Sequence, residues 1–260
     1  GAHSRGHRAT GEDVPVEGLR EIDPYELVAR SEHPFVRHQV DPADTPLVLA
    51  LGDALVIDGN RNRTGPSDGS PSLWCLGPTH DLARLAAQAA DLVDEPGRVS
   101  VEAAAYDVLP TAWRLPVSGH WHWMLTHDAP PPHPLEPTVV EVTDAALIDG
   151  LLDVANPGSF ARPGSRGVEC WLGIPGDDGL LAVGALYRDP SGAGHLRSVT
   201  THPAAAGQGL GTSVSAALTR RALAVCGTAT LGVYVDNAPA LAVYDRLGFR
   251  THVSFRSAKR

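Results

Sequence analysis

Residues 198–218, SVTTHPAAAGQGLGTSVSAAL, restrict the possible folds more than any other segment of this chain. A stretch rich in β-branched residues, typical of a strand, leads through three glycines straight into an amphipathic helix. Gly207, Gly209 and Gly211 let backbone N–H groups approach a ligand closely, and the start of the helix adds partial positive charge. Such a turn suits a phosphate or pyrophosphate, although glycines between a strand and a helix can also be purely structural.

Two established phosphate-binding signatures do not fit this turn. The dinucleotide-binding fingerprint needs a third glycine where Thr212 stands, and the P-loop needs a Gly-Lys pair followed by Ser or Thr, which is absent. The turn alone therefore leaves the nature of its ligand open.

The rest of the second half of the chain alternates strands with helices. Residues 175–179, PGDDG, have the composition of a turn and join two apolar runs as a hairpin. We expect strands at 138–142, 170–174, 180–187, 195–201, 230–235 and from 249, and helices from Thr143 or Asp144 to about 154, from 210 onward and at 238–246. This alternation predicts an α/β fold, and the hairpin makes the sheet mixed.

The first half shows a similar but weaker alternation. Its predicted elements are a short helix capped by Asp23, a hairpin of 47–51 with 54–57, a polar loop at 60–71, a strand at 72–76, a helix at 81–93, a strand at 99–101, a short helix before Pro110 and a strand at 121–125. Between the halves, residues 128–137, DAPPPHPLEP, are proline-rich and poor in apolar side chains. We therefore predict domains at 1–127 and 138–260 with a connector at 128–137.

A second motif decides what kind of turn the glycines form. Residues 231–249, LGVYVDNAPALAVYDRLGF, place Asn237 at the end of a strand and Tyr244 on the following helix, which Leu247, Gly248 and Phe249 close. With these two motifs in this order and at this separation, residues 138–255 resemble the GNAT superfamily of acyl-CoA-dependent N-acyltransferases. The resemblance implies a mixed twisted sheet flanked by helices, and acetyl-CoA or another acyl-CoA as co-substrate.

The resemblance also implies a set of site residues. In the family, the pantetheine arm lies where two parallel strands part, and the pyrophosphate lies on the turn before the main helix. The corresponding positions here are Val199, Thr200, Thr201, Gly207, Gln208, Gly209, Leu210, Gly211, Thr212 and Asn237. The backbone N–H of Val199 would polarise the thioester carbonyl, and Tyr244 would face the sulfur. A phenol has a pKa of about 10, so Tyr244 can protonate a departing thiolate at neutral pH.

Two positions depart from the family's pattern. Ala206 stands where the family usually has Arg or Gln at the start of the phosphate turn, which predicts weakened but not abolished binding because the turn acts through backbone N–H groups. Gly232 stands where several members carry a glutamate base. The general base is therefore unassigned, and the candidates are Glu169, His195, His202, Asp236 or a water chain that reaches one of them.

Seen through the resemblance, the first half is similar to a degenerate repeat of the same domain, as in tandem, glycine-N-acyltransferase-like proteins. Its counterpart of the turn, Gly77-Pro78-Thr79, is not glycine-rich, so an unrelated α/β cap domain is the alternative. His120 and His122 share one face of a strand, but a third metal ligand is not evident and we expect no metal. The acceptor site is predicted between the halves, walled by the loop of residues 156–167 and the neighbouring strand of Glu169 and Trp171.

Composition excludes several other classes of protein. The chain has 21 basic and 30 acidic residues, a net charge of −9, which disfavours nucleic-acid binding. Cys75, Cys170 and Cys226 are widely spaced and are expected to be buried and reduced. Because no apolar stretch approaches the length of about 20 residues needed to span a membrane and the sequence shows no signal peptide, we expect a cytoplasmic protein that binds no membrane, as a monomer or homodimer.

The resulting functional hypothesis is an N-acetyltransferase that transfers an acetyl or acyl group from acetyl-CoA to a primary amine of a small molecule by direct attack. A catalytically idle module that binds acyl-CoA or a protein partner is the alternative. Tyr244 and Asn237 favour the enzyme, whereas Ala206 and Gly232 favour the idle module.

Overall fold

A computed structural model describes residues 18–260 of the chain. Its first half contains β1 (Arg20–Glu21), α1 (Pro24–Arg30), α2 (Pro34–Gln39), β2 (Leu47–Leu51), β3 (Ala54–Asp58), α3 (Arg61–Thr64), β4 (Ser72–Leu76), α4 (Thr79–Ala89), β5 (Arg98–Glu102) and β6 (Val117–Thr126). Short 3-10 turns occur at Pro42–Asp44, Ala103–Val108 and Thr111–Trp113. The predicted cap is confirmed, since the side chain of Asp23 accepts from two N–H groups of α1.

The second half contains β7 (Val140–Glu141), α5 (Ala145–Ala155), β8 (Val168–Gly176), β9 (Gly179–Arg188), β10 (Gly194–Thr201), α6 (Leu210–Cys226), β11 (Ala229–Tyr234), α7 (Ala238–Arg246) and β12 (Arg250–Lys259), with 3-10 turns at Glu136–Thr138 and Pro203–Ala205. Among the helices of residues 18–260, none is long and apolar enough to cross a membrane.

Three sequence predictions of local structure need correction. The strand predicted at 138–142 is shorter, because Thr138 closes a 3-10 turn in which both its N–H and its hydroxyl donate to the Leu135 carbonyl. The helix predicted at 81–93 lies at Thr79–Ala89, directly after Pro78. The segment predicted as a polar loop at 60–71 includes the single turn of α3.

The two halves repeat one order of elements. In each, a hairpin is followed by a third antiparallel strand, a helix and a fourth strand parallel to the third: β2, β3, β4, α4 and β5 in the first half, and β8, β9, β10, α6 and β11 in the second. This parallel pair with its crossover helix is the unit that places a helix N-terminus at the carboxyl end of a strand.

The last strand of each half lies beside the other half. The twelve described strands form one sheet in the order β1-β2-β3-β4-β5-β12-β6-β11-β10-β9-β8-β7. In it β12 pairs with β5, Phe255 opposite Glu102, and β6 pairs with β11, Met124 opposite Leu231. The division into 1–127 and 138–260 stays a prediction, and this exchange shows that each half of the sheet includes one strand from the other segment.

Buried apolar side chains cover both faces of the sheet. On one face α4 packs through Leu82 and Leu85, and α6 packs through Val214 and Leu218. On the other face Phe35 of α2 lies against Trp123 of β6, with their ring centroids 5.5 Å apart, while α5 covers β9. The exchanged strands therefore lie in the middle of the sheet, where α1 and α2 of the first half share a buried cluster with them.

Candidate active site

Strands β10 and β11 part at their carboxyl ends. They pair in parallel from Gly194 and Ala229 only as far as Leu196 and Leu231, although both strands continue. The register of β10 against β9 shifts beyond Arg197, and Ser198 there has a φ of 56°, a left-handed conformation that few residues other than glycine adopt. An opening between the two strands follows from this bulge.

The loop of residues 156–167 supports the bulge from the face that α5 covers. The Ser198 hydroxyl accepts a hydrogen bond from the Ser159 hydroxyl at 2.6 Å and from the Ala161 N–H at 3.2 Å. A left-handed serine is a strained conformation that persists when its surroundings hold it. The loop predicted to shape an acceptor site is thus fastened to the strand beside the opening.

The glycine turn leads directly into α6. Gly207 and Gly209 have φ values of 78° and 79°, which favour glycine, and no side chain caps the start of α6 at Gly209. The first hydrogen bond of the helix runs from the Ser213 N–H to the Gly209 carbonyl at 3.0 Å. The N–H groups of residues 210–212 precede that bond and therefore have no partner within the helix. This arrangement can bind an anion.

The opening and the turn belong to one cleft of about 1100 Å³. Of the predicted site residues, those that line it are Val199, Thr201, Gly207, Gly209, Leu210, Gly211, Thr212, Asn237 and Tyr244. Thr200 does not, because strand alternation turns its side chain to the other face, where it bonds with Asn156 at 3.3 Å. The exposed Gln208 is also absent from the cleft wall.

Tyr244 lines this cleft from α7. Its ring packs edge-on against Phe249 with the centroids 5.9 Å apart, and burial raises the pKa of Tyr244 to about 12, an increase that the neighbouring Ser215 hydroxyl opposes only in part. The Ser215 oxygen is buried and, within residues 18–260, has no hydrogen-bond partner of ordinary geometry. The phenol therefore keeps its proton across the physiological pH range.

Asn237 has a structural contact as well as a place on the cleft wall. Its side-chain oxygen accepts from the Ala240 N–H at 3.3 Å and so caps α7, with Pro239 inside the first turn. The cap fixes the start of the helix that carries Tyr244. The amide nitrogen of Asn237 takes no part in this cap and can serve a ligand.

The sequence analysis missed the connector as part of the site. Pro131, Pro132 and His133 line the cleft opposite the glycine turn, and Arg246 lines it from α7. No motif links His133 to Gly209, because the two residues are far apart in the chain and meet only through the fold. Ser215 was also missed, since a serine on a helix carries no distinct signal.

The four candidates for a general base are Glu169, His195, His202 and Asp236, and none of these described residues lines the cleft. Glu169 is exposed and forms an ion pair with Arg188. His195 is buried at the paired end of the strands, where its Nδ1 lies 2.7 Å from the Thr230 hydroxyl. Since none of the four lines the cleft, the base stays unassigned.

His122 and the three cysteines do not line the cleft. His122 bonds the Ser254 hydroxyl through Nδ1 at 2.7 Å, and the described residues contain no group of three or more ligands able to hold a metal. Burial raises the pKa of the Cys75 thiol to about 12 and also raises the pKa of the Cys170 thiol. The prediction that Cys226 is buried was wrong: it is exposed, at the C-terminal end of α6.

The equivalent place in the first half is closed. Strands β4 and β5 stay paired at four positions, from Ser72 with Arg98 to Cys75 with Val101. The N–H of Gly77 donates to a carboxylate oxygen of Glu102 at 2.7 Å, directly before α4. A protein carboxylate thus binds the backbone two residues before this helix begins.

Residues 145–249 match the model of the family described as "Acetyltransferase (GNAT) family". A solved protein from Drosophila matches with a TM-score of 0.59 at 13% identity, over 94% of this chain and 99% of that one. GCN5-related N-acetyltransferases match from Sphaerobacter thermophilus, with a TM-score of 0.51, 14% identity and 94% and 95% of the two chains, and from Kribbella flavida, with 0.50, 14%, 91% and 94%.

At these identities the solved structures show a shared fold and nothing about substrates. Among curated protein sequences, none matches this chain. The predicted fold class, a mixed twisted sheet flanked by helices as in GNAT proteins, is confirmed, and so is the resemblance to that superfamily.

Proposed function

Because residues 145–249 match the model of the GNAT acetyltransferase family, we propose that this chain transfers an acetyl or other acyl group from acyl-CoA to the primary amine of a small molecule. The observation that carries this proposal is one cleft in which an uncapped glycine turn, two parting strands and a protonated tyrosine meet.

The cleft suits the parts of an acyl-CoA. The free N–H groups at residues 210–212 and the left-handed Gly209 would hold the pyrophosphate, since glycine leaves room for close approach. The opening between β10 and β11 would take the pantetheine arm, and the backbone N–H of Val199 would polarise the thioester carbonyl. Asn237 would contact the arm through its free amide N–H₂.

In the proposed reaction the amine nitrogen attacks the thioester carbonyl carbon directly. A C–N bond forms, the C–S bond breaks, and the proton of the Tyr244 hydroxyl passes to the departing sulfur. The surplus proton of the amine leaves to water, from which the phenolate regains a proton. A covalent cysteine intermediate is disfavoured, because Cys75 and Cys170 are buried thiols of raised pKa and Cys226 lies about 25 Å from the turn along α6.

The amine acceptor would approach from the opposite face of the sheet. Val199 packs towards α6, on the face of the cleft, whereas Gly232 lies on the face of Trp121 and is exposed. Ser198 and the loop of residues 156–167 border the same face. Gly232 has no side chain at the point where several relatives carry a glutamate base, and a Cβ built there would lie 3.3 Å from the Trp121 ring. An acceptor site on this face would include groups from both halves.

The test is thiol release from acetyl-CoA with a panel of small amines, using the full chain and measuring the acetylated product. The proposal predicts release that depends on the amine, with no burst of free CoA before an amine is added. An idle acyl-CoA-binding module would bind CoA with no amine-dependent release. A burst without amine would instead indicate a covalent intermediate and contradict direct attack.

A further inference from the structure

The connector between the halves is fastened to the helix that begins at the glycine turn. Arg220 of α6 donates to the Glu136 carboxylate at 2.8 Å and to the Pro130 carbonyl at 2.7 Å. Glu136 in turn accepts from the N–H of His133 at 3.1 Å. A two-armed arginine contact of this kind fixes both position and orientation. Residues 130–136 are therefore held against α6. A flexible spacer would make no such contacts.

The imidazole of His133 has a defined orientation within this segment. Its Nδ1 accepts from the N–H of Leu135 at 3.2 Å and lies 2.8 Å from the Ser213 hydroxyl. Because a nitrogen that accepts from a backbone N–H carries no proton in the neutral ring, we assign the proton to Nε2. Both hydrogen bonds of this ring in the described part of the chain involve Nδ1, so Nε2 has no partner there.

Nε2 points at the place where an anion would bind. A Cβ built on Gly209 would lie 3.0 Å from it, so the ring stands directly over the turn, and His133 lines the same cleft as residues 207–212. Ser213, which contacts Nδ1, is also the residue that forms the first hydrogen bond of α6. The orientation of the ring and the start of the helix are thus coupled through one residue.

We propose that His133 is a phosphate-binding residue, whose Nε2–H donates to the pyrophosphate of the acyl-CoA across from the backbone N–H groups at residues 210–212. This inference rests on the proposed function. It supplies the side-chain donor that Ala206 cannot provide at the start of the turn. The connector is then a wall of the co-substrate site as well as a link between the two halves.

The experiment compares two thioesters on the full chain. Acetyl-CoA carries the pyrophosphate, whereas S-acetyl-pantetheine lacks it and keeps the reacting end. His133→Ala should weaken the binding of CoA, measured by calorimetry, and raise the KM for acetyl-CoA, each by about tenfold to one hundredfold, the range for a hydrogen bond to a charged group. The KM for S-acetyl-pantetheine should stay unchanged. His133→Gln, which can place an N–H near the position of Nε2, should recover part of the loss.

The control is His80→Ala, which removes an exposed histidine from α4 in the first half and should change neither thioester. If His133→Ala binds CoA as tightly as the wild type, or loses both thioesters equally, the assignment of His133 is wrong and the proposed function stands. If the wild type binds no CoA at all, the proposed function fails together with this inference.

Discussion

The turns before α4 and α6 occupy the same place in the repeated unit and differ in what fills them. Neither helix has a side-chain cap, but the cleft beside the start of α6 is open between parting strands. Before α4, the strands stay paired and Glu102 accepts the N–H of Gly77. A helix N-terminus favours negative charge in both places. In the first half a protein carboxylate lies two residues before the helix and the strands leave no opening beside it, whereas in the second half the open cleft leaves that place for a ligand.

The two halves therefore share the fold of the repeated unit, whereas the chemistry depends on a few residues of the second half. Both units have the crossover helix and its parallel strands, so the helix N-terminus alone does not make a site. The second unit adds the glycines, the bulge at Ser198 that ends the pairing, and Tyr244 on a further helix.

The largest expected effect is on the chemistry of the second half. Tyr244→Phe removes the proton donor and should lower kcat about 10² to 10⁴-fold, the usual contribution of general acid catalysis, with little change in the Kd for acetyl-CoA. Steady-state kinetics and calorimetry measure the two quantities. Tyr25→Phe, at an exposed tyrosine of α1, is the matched control and should leave kcat unchanged. A Tyr244→Phe variant with near wild-type kcat, with chemistry shown to limit the rate, would remove Tyr244 from the acid role.

The next effect concerns the turn itself. Gly209→Val places a β-branched side chain where φ is 79° and where its Cβ would meet His133, so the Kd for acetyl-CoA should rise at least about tenfold. Pro78→Val makes a matched change at the exposed N-cap of α4 and should leave that Kd unchanged. Equal affinities in the two variants would place the phosphate site elsewhere.

A smaller effect is expected where the first half is closed. Glu102→Ala leaves the N–H of Gly77 without its carboxylate partner, which should lower the free energy of unfolding by about 1 to 3 kcal/mol. Denaturant unfolding measures the change, and CoA binding should stay as in the wild type. Weakened CoA binding without a change in stability would show that Glu102 contributes to the cleft of the second half. That result would contradict the difference described between the turns before α4 and α6.

Chemical modification of the thiols is expected to have the smallest effect, because it should leave the activity unchanged. Native alkylation should label Cys226, which is exposed, and spare Cys75 and Cys170, whose thiols are buried and have raised pKa values. Mass spectrometry of the labelled chain identifies the site. Because Cys226 lies at the far end of α6 from the turn, the labelled protein should keep its rate of acetyl transfer. Loss of activity on labelling would reopen a role for a cysteine.

Local signals in the sequence are enough to predict the elements that form the cleft of the second half. The helix predicted at 238–246 matches α7 residue for residue, because Asn237 and Pro239 mark its start and Gly248 its end. The strand, the glycine turn and the main helix were also predicted in the right places. Of the residues that the family resemblance selected, nine line the cleft, and Thr200 and Gln208 do not.

Contacts between distant parts of the chain could not be predicted in this way. The exchange of β6 and β12 depends on pairing such as Phe255 with Glu102, which no local pattern encodes. The place of His133 depends on Arg220 and Ser213 holding the connector against α6. The proline-rich composition indicated a stiff connector, and only the fold shows that this connector borders the cleft.

The most direct test of the account is the number of acyl-CoA molecules that one chain binds. Calorimetric titration of the full-length wild type with acetyl-CoA, in the absence of amine, measures this number together with the affinity. One molecule per chain is expected, because the first half keeps its strands paired and binds its own Glu102 carboxylate at Gly77, where the second half has an open cleft. Two molecules per chain would contradict the difference between the halves, and no binding at all would contradict the proposed function.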